Sequence, residues 1–181
     1  SPSNQDENTF ITGNANEGEV WNDIAARLAP LLEAYECHVM IADYDMRLED
    51  RAEDAKAWGA DVYIAMHSNA YSRPNAGWGV EVYYDANKDD SAEREALATA
   101  LLNELSTLFL NRGLRTASNL KDCRLPEMPS VIVECGYHDT VSDANRILNN
   151  KDKIAQLYCN ALVKYLGLTK KSAPAPETER A

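Results

Sequence analysis

The chain has 181 residues, 45% of them hydrophobic and 26% charged, which suits one globular domain with its own core. A formal net charge of −11 argues against a duplex nucleic-acid partner, because such binders present a basic face. No apolar run approaches the ~18 residues of a membrane helix, so no membrane span is expected. The four cysteines, Cys37, Cys123, Cys135 and Cys159, match neither a CxxC zinc site nor a dense disulfide framework. Buried free thiols fit their apolar surroundings, and a reducing site of synthesis is mildly favoured.

Ser1 to Asn8 is polar and loop-like, and an opening in a loop predicts a first strand upstream of Ser1. Asn16 is placed as a helix N-cap with Glu17 in the first turn. A helical stripe of Trp21, Ile24, Ala25, Leu28, Leu31, Leu32 and Tyr35 predicts a helix from about Gly18 to Ala34. His38-Val39-Met40-Ile41-Ala42 reads as a strand, followed by a helix from about Met46 to Trp58 that Gly59 stops. Asp61 to Met66 reads as a buried strand that ends on His67. Trp78 to Tyr84 alternates like a strand. Asp90 and Glu93 form a capping-box pattern that predicts a long helix to about Asn111. Ser130 to Gly136 is a continuous apolar run broken by Glu134, which predicts another strand. Short and long helices follow, from about Val141 to Leu148 and from about Asp152 to Leu166. Strands alternating with helices predict a single α/β domain over residues 1–168, a twisted, mostly parallel sheet with helices on both faces. Residues 169–181, with their Ser-Ala-Pro-Ala-Pro run, read as a linker or tail.

In an open α/β sheet, ligands collect beyond the carboxyl ends of the strands, where His67 is placed. A carboxylate at Glu17 and an imidazole at His67 are two of the three protein ligands that a catalytic zinc keeps. Glu134 follows four apolar or small residues in its strand, so it must be paired, metal-linked or exposed at the strand mouth. A carboxylate beside a metal-bound water is a natural general base. The plain alternative is a helix-start Glu, a strand-end His and a salt-bridged Glu that never meet.

Five stretches, in order, resemble the zinc-dependent N-acetylmuramoyl-L-alanine amidases of the type 3 amidase family, which cleave bacterial cell wall. They are Glu17 to Ala25, Asp45 to Arg51, the Ala60-Asp61 to His67-Ser68-Asn69-Ala70 segment, Gly79 to Tyr84, and Pro129 to Tyr137. The resemblance implies that Glu17 and His67 bind Zn2+, that Glu134 is the catalytic carboxylate and that Asn69 sits by the substrate. It implies bacterial peptidoglycan as the partner. The bond cut would be the amide between N-acetylmuramic acid and the L-alanine of the stem peptide. Action would be on the bacterial cell wall, outside the cell or after release from a cytoplasm. The linker reading of the tail adds a cell-wall binding module beyond this chain.

One motif departs from the family pattern. Where the family carries GHGG, whose histidine is the third ligand, this chain has Ser3-Asn4-Gln5-Asp6. The Ser-Pro-Ser-x-Gln opening resembles a variant branch seen in phage lysins. Gln5, read back from Glu17, is the nearest counterpart of the missing histidine and could supply an amide oxygen; alignment on Pro2 offers Asn4 instead. His38 reads as structural, and His138 as a second candidate for lining the cleft. Two other functions stay open at this level: a non-catalytic wall-binding module with a degraded metal site, and a zinc peptidase or deacetylase that cuts a different amide.

Overall fold

Asn16 starts the first helix as its sequence position requires. Its side chain accepts from the Glu19 amide, and the Glu19 side chain accepts from the Asn16 amide, so a reciprocal capping box opens α1 (Glu17–Glu33). The computed structural model describes residues 1–172. Five further helices follow, α2 (Leu48–Trp58), α3 (Ser91–Leu105), α4 (Lys121–Arg124), α5 (Val141–Asn149) and α6 (Lys151–Leu166). Four strands, β1 (Tyr63–Asn69), β2 (Val80–Tyr84), β3 (Asn111–Thr116) and β4 (Ser130–Tyr137), form one sheet in the order β1-β4-β2-β3. β1 with β4 and β2 with β3 are parallel, while β2 runs antiparallel to β4.

Each face of the sheet has its own cover. Val80, Val82, Val131, Val133 and Cys135 face a large core built by Trp21, Ile24 and Leu28 of α1, Leu97 and Leu101 of α3, and Ile154 and Tyr158 of α6. Ala65 and Ile132 face a smaller cluster with Ala55 of α2 and Cys123 of α4. That smaller cover leaves the carboxyl ends of β1 and β4 open on its side. Each fully buried core leucine or isoleucine contributes about 1.5–3 kcal/mol, so the large face holds most of the stability.

Several sequence expectations change. The expected helix to Asn111 ends at Leu105, and Asn111–Thr116 is instead the edge strand β3. Its Asn, Arg, Gly and Thr residues carry no strand signature, and only pairing with β2 makes it one. Asp90 caps nothing with its side chain; it accepts from Arg94 Nε at 2.6 Å instead. The expected strand at His38–Ala42 has no strand pairing, because an apolar cleft lined by Leu28, Val62, Ile64 and Met66 separates it from β1. β-branched residues cannot make a strand without a neighbouring edge. The four-residue helix α4 was not expected. The cysteines are free thiols, with Cys123, Cys135 and Cys159 buried and Cys37 half-buried. At the other end of the domain, Glu36 donates to the Thr169 carbonyl and Lys171 to that of Ala34; residues 173–181 lie outside the described part of the chain.

Candidate functional site

A single row of paired residues crosses the sheet at its open end. His67 of β1 pairs with Glu134 of β4, Glu134 with Glu81 of β2, and Glu81 with Gly113 of β3. Paired residues on neighbouring strands, about 4.8 Å apart, point to the same face. An imidazole and two carboxylates therefore stand side by side over the face that α2 and α4 leave uncovered.

Two irregularities in pairing enlarge this row. Along β1 and β4 the partners jump from His67↔Glu134 to Asn69↔Tyr137, so β4 holds one extra residue there. Gly136 takes the turn at φ 80°, and a Cβ on it would sit 2.9 Å from the Phe109 ring. Glu134 and Tyr137 are three apart and would alternate faces in a regular strand. The bulge brings both to Glu81: Tyr137 Oη lies 3.5 Å from its Oε1, and Asn69 Nδ2 donates to the same atom at 2.8 Å. Along β2 and β3 the partners jump from Val80↔Asn111 to Glu81↔Gly113, leaving Arg112 as the extra residue. Bulges beside functional sites re-aim side chains in this way.

The rest of the site is carried in from α1 and the opening loop. Ser3 N donates to Met66 O at 2.9 Å, and Met66 N to Ser1 O at 3.0 Å, so residues 4–8 run past the end of β1. Glu17, at the first turn of α1, lies over the strand end. Its Oε1 accepts from Ser68 N at 3.0 Å and lies 3.1 Å from His67 Nδ1. Asn8 Nδ2 donates to Glu17 Oε2 at 2.7 Å and to Gln5 Oε1 at 2.6 Å. One amide thus gathers the carboxylate and the Gln5 carbonyl oxygen. Asn4 turns away and donates to Tyr44 O at 3.1 Å. Beneath, Ser68 Oγ accepts from Trp21 Nε1 and lies 3.1 Å from His138 Nδ1, which locks the strand end to the core.

The charges at this end are strongly coupled. Burial pushes the Glu134 carboxyl up to about 7; the His67 charge opposes this, and Glu17 and Glu81 add to it. Glu134 Oε2 is buried without a hydrogen-bond partner. Burial also disfavours the Glu17 carboxylate, but its hydrogen bonds to His67, Asn8 and the Ser68 amide outweigh burial and hold it below the ordinary range. Burial disfavours the His67 imidazolium, yet the Glu17 hydrogen bond and the field of Glu134 leave its pKa raised. A half-buried acid poised near neutrality beside an imidazole–carboxylate pair can exchange protons at physiological pH.

Glu17, His67, Glu134 and Asn69 thus converge, and Gln5 reaches the rim through Asn8. His138 is buried against Ser68 and Phe10 rather than lining the cleft, and His38 is exposed away from the site. Among the described residues no three His, Cys, Asp or Glu side chains form a metal-holding group; Gln5 Oε1 is tied to Glu17 only through the shared Asn8 amide. Sequence reasoning missed Asn8, Glu81, Arg112, Arg115 and Tyr137. Glu81 carried a usable signal, an acidic residue in an apolar alternating run.

The profile of a family described as N-acetylmuramoyl-L-alanine amidase matches residues 3–164. The chain belongs to this amidase family. Among curated relatives, the sporulation-specific N-acetylmuramoyl-L-alanine amidase of Bacillus subtilis (strain 168) is 29% identical over 134 residues, 73% of this chain and 51% of the relative. The amidase LytC of the same strain is 31% identical over 174 residues, 91% of this chain and 34% of LytC. This chain therefore spans about half or less of the length of these relatives. The crystal structure of an N-acetylmuramoyl-L-alanine amidase from Clostridium difficile 630 superposes with TM-score 0.80 at 26% identity, covering 92% of both chains. The catalytic domain of the CD27L endolysin, at 22% identity and TM-score 0.65, shares the amidase fold.

Proposed function

We propose that this chain hydrolyses the amide between N-acetylmuramic acid and the L-alanine of the peptidoglycan stem peptide, as a zinc enzyme of the variant branch. The observation that carries the reading is the buried, unpartnered Oε2 of Glu134 beside the Glu17–His67 pair. A carboxyl in that state is a proton acceptor waiting for a partner. Family membership and the names of the relatives support the bond assigned.

The residues fit a zinc ion. Glu17 and His67 would hold it with Gln5 as the third donor, an imidazole, a carboxylate and a neutral amide oxygen. Bound there, zinc would supply Lewis acidity toward the amide carbonyl and acidify the attacking water. This chain's residues do the rest. Glu134 takes the proton of the attacking water on its unpartnered oxygen and delivers it to the departing alanine nitrogen. Its elevated pKa suits both transfers near neutral pH. Asn69, anchored on Glu81, has its second amide N–H left for the substrate. Ser68 N and Asn8 keep Glu17 ionised and aimed at His67.

Digestion of purified peptidoglycan tests this reading. The expected products carry new alanine amino groups and no new reducing sugar ends. Reducing ends would mean a glycosidase, and new amines on other residues would mean a peptidase. Wall binding without release of either would make the chain a non-catalytic binder.

A further inference from the structure

Beyond the reacting groups, the same face carries an arrangement that hydrolysis itself does not use. Arg112 Nε lies 3.4 Å and Arg115 Nε 3.3 Å from the same oxygen, Glu81 Oε2. Residues three apart on a regular strand would face opposite sides; the bulge at Arg112 brings both guanidinium groups to one side. Glu81 is 4% exposed, while Arg115 is exposed and Arg112 half-buried. The carboxylate is therefore the buried anchor, and the two cations face outward from it.

The charge count leaves an excess. Two guanidinium groups share one carboxylate, so the cluster keeps a net positive charge in a chain of net charge −11. The Arg112 guanidinium also lies over the Tyr137 ring, 5.2 Å from its centroid, and the ring of Tyr71, 53% exposed, lies 6.2 Å from the same ring. The strand pairing places Glu81, the anchor of this cluster, directly opposite Glu134 on the adjacent strand and in contact with Asn69. Guanidinium forks with unused N–H groups recognise carboxylates in planar, often bidentate pairs.

We propose that Arg112 and Arg115, held by Glu81, form a subsite for a carboxylate of the leaving stem peptide, so that the enzyme prefers peptides whose carboxyl group just beyond the alanine is free rather than amidated. This rests on the amidase reading above. A carboxylate on the glycan side, exposed as the lactyl acid after cleavage, has the same chemistry and is the other source to distinguish.

The test uses two synthetic muramoyl-L-alanyl peptides that differ only in whether the carboxyl group of the residue after alanine is free or an amide. For the unmodified chain, kcat/KM should be about tenfold higher for the free acid. In Arg112→Gln/Arg115→Gln that ratio should fall close to one, and Arg115→Lys should keep part of it. A general structural disturbance would slow both substrates and leave the ratio unchanged, which would overturn the proposal. A ratio near one in the unmodified chain would overturn it as well. So would loss of inhibition by free N-acetylmuramic acid in the double variant with the substrate ratio intact, because the carboxylate read would then be the glycan's. If the unmodified chain cleaves neither peptide, the amidase reading fails by itself. The arginine Nε–Hε NMR signals then decide the subsite: shifts on titration with the free acid alone support it, and no shift overturns it.

Discussion

In the proposed mechanism one atom, the unpartnered Oε2 of Glu134, bears most of the chemistry. Glu134→Gln keeps the shape but cannot accept a proton, so alanine-amine release should drop ~10²–10⁴-fold while circular dichroism and zinc content stay as in the parent. Near-parental activity would remove Glu134 from the mechanism. The Gln5 and Asn8 side chains make a second prediction through metal content rather than rate. Gln5→Ala should lower zinc occupancy, and Gln5→His should restore or raise it, since imidazole nitrogen is the better zinc donor. Asn8→Ala frees both Gln5 and Glu17 from their shared donor and should weaken zinc about 10–100-fold, the usual cost of losing an outer-shell partner. Full zinc in Gln5→Ala together with loss in Asn4→Ala or Asp6→Ala would move the third ligand to another residue of the loop.

At the scale of elements, the site depends on how one helix starts and how two strands slip. Asn16 closes the box at the head of α1, and the next residue is Glu17. Asn16→Ala should cost ~1 kcal/mol in urea unfolding and weaken zinc in parallel, because the helix end that aims Glu17 would fray. An unchanged urea midpoint would show that the cap is redundant. Gly136 holds the β4 bulge at φ 80° against Phe109 and Ile147. Gly136→Ala meets both a left-handed backbone and a crowded ring, so it should destabilise by roughly 1–3 kcal/mol and reduce activity by more than the loss of folded protein explains. The bulge is what brings Tyr137 to the side of Glu134.

For the whole molecule, the coupled charges predict how stability follows pH in the metal-free protein. Glu134 has a folded pKa of about 7 against 4.5 unfolded, so its destabilising effect starts above 4.5 and is complete above 7. His67 is raised from 6.5, so its stabilising contribution is present below 6.5 and lost as pH rises through the folded value. Both act in one direction, and Glu17, held below 4.5, titrates outside this window. With chelator present, the melting temperature should fall from pH 5 to pH 8, and Glu134→Gln should flatten part of that fall. Saturating zinc should oppose the trend, since the ligands must lose their protons to bind it. A melting temperature that rises with pH in chelator would contradict the assigned coupling.

Much of this fold is legible in the sequence. The periodic apolar positions of α1, α3 and α6 and the apolar runs of β1 and β4 marked the α/β layers, because burial imposes periods of 3.6 and 2 on the residues themselves. His67 and Glu134 were visible as polar residues in or ending apolar strand runs, and Glu17 as the acidic first-turn residue after the Asn16 cap. What the tertiary structure alone decided was everything set by pairing between distant segments. Asn111–Thr116 is a strand because β2 offers it an edge, and His38–Ala42 is not one because an apolar cleft holds it off the β1 edge. Glu81, Arg112 and Tyr137 enter the site through register shifts of one residue, and Asn8 joins Gln5 to Glu17 through a loop laid against Met66. Local sequence records which face a residue prefers, but a one-residue slip between strands moves every later side chain to the opposite face, and only the assembled sheet sets where that slip occurs.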